Sequence, residues 1–92
     1  MTTNCAATAI AELEDWSVGD DGKSIQRSFK FEDFKSAWAF MTVCAMKADQ
    51  MDHHPEWSNV YNKVEVTLTT HDAGDVTDKD VELAKFMDAR AG

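Results

Sequence analysis

Three side chains in this sequence titrate near neutrality, and they mark the two ends of one segment: His53 and His54 at its start, His71 at its close. Imidazoles give and take protons at physiological pH. A fold that joins those two ends would assemble an acid/base site suited to a small heterocycle. Asp49 stands four residues before His53; at that spacing on a helix the two share a face, and the carboxylate can hold the imidazole by a hydrogen bond. His54 precedes Pro55, the only proline. The pyrrolidine ring disfavours helical geometry in the residue before it, so His54 is held extended, which suits a side chain aimed into a pocket. Trp57 and Trp38 could supply a flat stacking wall.

Each of these residues also has a plainer reading. Asp49 and His53 fit a solvated helix C-terminus, where histidine is favourable to the dipole. His54-Pro55 fits a rigid turn, His71 an incidental strand end, and the tryptophans a core or an interface. Asp80 follows Thr77 by three residues and so completes a helix capping box without any chemistry. Three histidines and nearby carboxylates would be enough ligands for zinc. However, the adjacent His53 and His54 point in different directions, and the sequence contains no HxH or HxxxH pair. A nucleophile motif and a glycine-rich phosphate loop are both missing.

The elements that must position these groups follow from periodicity. Ala6 to Leu13 is alanine-rich and predicts a short helix, with Thr3 or Asn4 as its cap. Trp16-Ser17-Val18, the turn cluster Gly19-Asp20-Asp21-Gly22 and an alternating run over about Lys23 to Phe31 predict a hairpin. From Phe34 the apolar residues Phe34, Ala37, Trp38, Met41, Ala45 and Ala48 recur at helical steps. A second row of Phe40, Val43, Cys44 and Met51 widens that face, which predicts a helix buried by the sheet on one side and by a partner subunit on the other. Pro55 ends it near Asp52. A short strand over Trp57 to Tyr61, a turn at Asn62 and the alternation Val64, Val66, Leu68 make a second hairpin running to Thr70. His71 to Asp75 is a loop. Thr77 opens a last helix carrying Val81, Leu83, Ala84, Phe86 and Met87, which frays at Ala91-Gly92. The order predicts one domain over 1–92, an α+β two-layer sandwich: a four-stranded antiparallel sheet of two hairpins with helices packed on one face.

Composition narrows the partners. A formal net charge of −8 argues against duplex nucleic acid and anionic membranes as direct partners, because phosphate surfaces repel such a chain. No apolar run approaches membrane-spanning length. Met1 to Cys5 carries neither the basic region nor the apolar core of a secretory signal. Cys5 and Cys44 are not closely spaced, and Cys44 falls in the apolar helical pattern, so a reduced core thiol in the cytoplasm is the simplest reading.

The spacing Asp49-x-x-x-His53-His54-Pro55-x-Trp57 continues through Asn59-Val60-Tyr61-Asn62-Lys63-Val64 and closes on Leu68-x-Thr70-His71-Asp72. Together with Gly74, Thr77, Asp80, Leu83 and Ala84, it resembles the pterin-4a-carbinolamine dehydratase family. Eukaryotic members are also called the dimerisation cofactor of a homeodomain transcription factor. The likeness is dense over the C-terminal half and looser from Trp16 to Trp38.

That resemblance implies a four-stranded antiparallel sheet with helices on one face. It implies dehydration of 4a-hydroxytetrahydropterin to the quinonoid dihydropterin with no metal or organic cofactor, and assembly into dimers or tetramers. By the same likeness His53, His54 and His71 are the active-site histidines, Asp49 and Asp80 the acidic positions, and Pro55 and Trp57 shape the pocket. Relatives often carry glutamate where this chain has the shorter Asp49. The expected division of labour gives the acid and base roles to His53, polarised by Asp49, and to His71. His54 then binds the pterin, and Asp80 supports His71 or the pocket. A rival expectation is a binding module without catalysis that stabilises a hydroxylase or a transcription factor through the broad apolar faces of the long helix.

Overall fold

The computed structural model describes residues 6–91, apart from the side chain of Ala7. The Thr3 or Asn4 cap, Cys5 and Gly92 lie outside the described residues. In chain order the elements are α1 (Ala6–Ala9), continued by a 3-10 turn at Ile10–Glu12, β1 (Ser17–Val18), β2 (Ile25–Lys30), α2 (Phe34–Met51), β3 (Glu56–Val60), β4 (Lys63–Leu68) and α3 (Asp78–Ala91). α3 remains helical through Ala91, where fraying was expected from the sequence.

Alternation builds the sheet. Val64, Val66 and Leu68 of β4 are buried while Lys63 and Glu65 are exposed, and Ile25 and Phe29 of β2 are buried while Ser28 and Lys30 are exposed. The two strands meet in register, Ile25 opposite Leu68 and Phe29 opposite Val64, so their apolar sides form one continuous face. The four strands run in the order β1-β2-β4-β3, every pair antiparallel. This is the α+β arrangement of two hairpins that the sequence predicts. The covered face joins Ala37, Phe40, Cys44 and Ala48 of α2 and Val81, Leu83, Ala84 and Met87 of α3 in one core. Phe29 contacts Phe40 at a ring separation of 4.8 Å and Trp16 edge-on at 6.0 Å.

α2 starts where Asp33, in extended geometry, accepts the Ser36 N–H at 2.9 Å. It ends at Asp52, whose backbone turns left-handed at φ 52. The Asp52 N–H reaches the Asp49 carbonyl and the His53 N–H reaches back to the Ala48 carbonyl at 3.0 Å. Those two bonds form a Schellman termination. The buried stripe of α2 differs in phase from the expected one. Ala37, Phe40, Cys44 and Ala48 face the core, whereas Phe34, Trp38 and Ala45 from the expected primary row are exposed. The buried stripe thus takes Ala37 and Ala48 from the first row and Phe40 and Cys44 from the second; both rows are apolar, so periodicity alone did not fix the stripe.

The Asp88 carboxylate helps to tie down the N-terminal segment, beside an ion pair of Lys85 with Glu12 at 3.1 Å. Oδ1 of Asp88 accepts the Trp16 indole N–H at 2.9 Å and Nη1–H of Arg27 at 2.5 Å. The Arg27 guanidinium also lies 4.2 Å above the Phe29 ring. Cys44 is a free, buried thiol, as its place in the apolar pattern suggested. Among the described residues no helix is long and apolar enough to cross a membrane.

Candidate active site

The three histidines do meet. His53 and His54 leave the end of α2, β4 runs on to Thr70 and His71, and α3 begins a few residues later. Together they line a cleft of about 230 Å³ with Asp52, Thr69, Thr70, Asp72 and Lys79. The Schellman turn sets the direction in which His53 and His54 depart. On the other wall, a bridge between Thr70 and Asp75 closes the loop that carries His71. Gly74 turns that loop at φ 70, a conformation other side chains resist.

The imidazoles sit in different surroundings. His53 is 8% exposed, and its Nε2 lies 2.5 Å from Oδ1 of the fully buried Asp80. His54 and His71 are open to solvent, with side chains 66% and 78% exposed. Nε2 of His54 lies 3.9 Å from Asp49, and Nε2 of His71 lies 3.8 Å from Glu56. Each histidine therefore has its own carboxylate, and the closest pairing is the buried one.

The expected pairing of Asp49 with His53 is corrected here. A separation of four residues brings side chains together only while the helix continues. The left-handed Asp52 breaks that relation before His53 is reached, so Asp49 faces His54 instead. Asp80 likewise holds His53 and not His71. Pro55 is half-buried between His54 and the start of β3. Asp49 and Trp57 line a separate apolar groove of about 600 Å³ with Trp38, Met41, Ala45 and Met46. That groove is larger than the histidine cleft but contains no imidazole. The structure thus gathers His53, His54, His71 and Asp80 in one place and sets Asp49 and Trp57 beside it.

Asp80 does both things the sequence allowed it. Oδ2 accepts the Thr77 N–H at 2.9 Å, which is half of a capping box, while Oδ1 is left for His53. The other half of the box is not made: the Thr77 hydroxyl lies 2.7 Å from the Thr70 hydroxyl, which itself donates to Oδ2 of Asp80 at 2.8 Å. From the sequence Thr70 was named only as a motif position and hairpin end, without a role in the site, and Lys79 not at all. Thr70 did carry a signal: it is in phase with Val64, Val66 and Leu68, so a polar group was due to be buried and needed partners. Among the described residues no three His, Cys, Asp or Glu side chains converge as a metal site.

The sequence and the fold have known relatives. A family profile described as pterin 4 alpha carbinolamine dehydratase matches residues 1–90. A protein of Mesorhizobium japonicum named "Putative pterin-4-alpha-carbinolamine dehydratase" is 56% identical over 87 residues, covering 95% of this chain and 89% of its own. One of the same name from Paraburkholderia xenovorans is 53% identical over 89 residues, covering 97% and 93%. The crystal structure of a transcriptional coactivator/pterin dehydratase from Brucella melitensis superposes with a TM-score of 0.93 at 42% identity, covering 99% of this chain and all of that one. A pterin dehydratase-like RuBisCO assembly factor of the alpha-carboxysome shares the fold, with a TM-score of 0.74 at 20% identity. The match along nearly the whole sequence and the shared fold show that the chain belongs to the pterin 4 alpha carbinolamine dehydratase family.

Proposed function

We propose that this protein is a hydro-lyase that removes water from 4a-hydroxytetrahydrobiopterin to give the quinonoid dihydropterin, in the recycling of tetrahydrobiopterin. The observation that carries the reading is the convergence of His53, His54 and His71 on one cleft in a member of this family. The substrate bears a hydroxyl on C4a beside an N5–H. The N5 proton passes to a base, the N5 electron pair forms the N5=C4a bond, and the C4a–O pair leaves with the hydroxyl. An acid protonates that hydroxyl, so the leaving group is water. Each such proton transfer contributes typically ~10²- to 10⁴-fold. His53 and His71 carry the acid and base roles, and His54 binds and orients the pterin. The buried carboxylate of Asp80 takes the orienting role on His53 that the helix spacing had suggested for Asp49. Lys79, an ammonium in the same cleft, and Trp57 and Pro55 beside it, shape the approach of the ring.

The test is direct. Purified protein should accelerate the spectroscopic disappearance of the 4a-carbinolamine well above its spontaneous rate in the same buffer; a rate equal to the buffer's would reject the assignment.

A second reading is a binding module for a regulator or a hydroxylase. It draws on the exposed apolar groove along α2 and on the double description of the Brucella relative. Co-purification of a stoichiometric regulator with a protein lacking turnover would favour it. On either reading we place the protein in the cytoplasm as a homodimer or homotetramer, assembled through the open edge of β3 or through that α2 groove.

A further inference from the structure

We infer that His53 meets its substrate through Nδ1, and that Thr70 is the positioning residue that fixes this choice. The inference rests on the dehydratase reading for the word substrate, but its hydrogen-bond logic stands in the protein alone. Asp80 is fully buried, and every group that touches its carboxylate can donate. Oδ2 takes the Thr77 N–H and the Thr70 hydroxyl. Thr70 has a single hydroxyl proton, and it is spent on the carboxylate. The Thr77 hydroxyl at 2.7 Å therefore donates to Thr70. The result is a one-way relay, Thr77 to Thr70 to Asp80, that leaves Oδ1 as a pure acceptor facing Nε2 of His53. Nε2 must then carry a hydrogen.

A neutral imidazole has one N–H, so the lone pair of His53 lies on Nδ1. That atom makes no hydrogen bond to any described residue; the bonds of His53 run to Asp80 and to the Ala48 carbonyl. Yet among the described residues no sealed side-chain nitrogen or oxygen lacks a partner. Nδ1 is therefore not sealed and opens on the cleft that His53 lines. As base it accepts a proton there, and as imidazolium it returns one from the same atom. Thr70 lines the same cleft, but its hydroxyl bonds Thr77 and Asp80 and not the ring. It acts through Asp80, by holding the carboxylate plane in place, and it lies next to His71, so one strand end steers both imidazoles.

Nitrogen-15 correlation spectra of the imidazoles in the resting protein test the relay. The expected result is the Nε2–H tautomer for neutral His53. Thr70→Val should erode that signature to a mixture and lower kcat by roughly 10- to 100-fold, with KM within about twofold, as expected for misplacement of a catalytic group. Thr70→Ser, which restores the hydroxyl, should recover both. An Nδ1–H tautomer in the unmodified protein would overturn the inference, as would a Thr70→Val protein with unchanged tautomer and rate. Where Thr70→Val fails to fold, the unmodified spectrum and Thr70→Ser decide. Failure of the dehydratase reading registers separately, as loss of turnover with the Nε2–H signature intact.

Discussion

Nε2 of His53 and Oδ1 of Asp80 lie 2.5 Å apart, and both residues are buried. This contact joins the end of α2 to the first turn of α3, and through Thr70 it also holds the end of β4. Removing the carboxylate strands three donors at once. Asp80→Ala should destabilise the protein by roughly 3 kcal/mol or more, since each buried group left without its partner costs about 1–3 kcal/mol. Thermal unfolding reads this clearly, since each kcal/mol moves Tm by roughly 4–8 °C in a domain of this size. An unchanged Tm would mean that the pair is not formed in solution.

Asp52 holds a left-handed backbone without being glycine. Asp52→Gly should therefore raise stability by about 0.5–1 kcal/mol, because a Cβ is disfavoured in that conformation. The gain is limited by the greater freedom that glycine gives the unfolded chain. Denaturant midpoints of the two proteins compare them directly; a lower midpoint for the glycine variant would show that the Asp52 side chain stabilises the turn.

The Asp88 carboxylate serves Trp16 and Arg27 outside the histidine cleft. Asp88→Ala should lower stability by about 1–2 kcal/mol, discounted from the full value of a charged hydrogen bond because the pair is partly exposed. Trp16 fluorescence should shift red as the indole loses its partner, with turnover of the folded protein unchanged.

Burial pushes the Cys44 thiol from an ordinary 9.0 up to about 12, against a smaller lowering by Arg90. The folded protein then keeps the proton that the unfolded chain releases. The stabilisation from this neutral thiol is complete below pH 9 and is lost as pH rises from 9 toward 12. Stability of the native protein should fall with pH in that window by up to about 1.4 kcal/mol per unit more than that of Cys44→Ala. Parallel curves would place the thiol in contact with water. Folded protein should also resist thiol alkylation at Cys44 near neutral pH, since only the thiolate reacts.

Much of the framework was legible because single residues act as punctuation. The apolar helical steps begin at Phe34 and Pro55 disfavours continuation past Asp52, so both ends of that helix could be read within a residue or two. The alternation from Val64 to Leu68 gave β4 its face. The details of the site were less legible, because they depend on contacts across the fold. Asp49 looked like the partner of His53 only if the helix persisted, and one left-handed residue, Asp52, redirects it. Asp80 looked like a cap or a functional carboxylate; having two oxygens, it is a cap on one side and the partner of His53 on the other. Which apolar residues of α2 meet the core also depended on tertiary packing, since Trp38 and Phe40 suit a core equally well by composition, and the buried stripe draws from both expected rows.

The central claim is that His53 and His71 carry the acid and base roles in dehydration. It is tested most directly by stopped-flow turnover of the 4a-carbinolamine with His53→Ala and His71→Ala, each first checked for folding. The account predicts that each substitution lowers kcat by at least about 10²-fold, the lower range for loss of a proton-transfer group. Wild-type rates in both variants would contradict it.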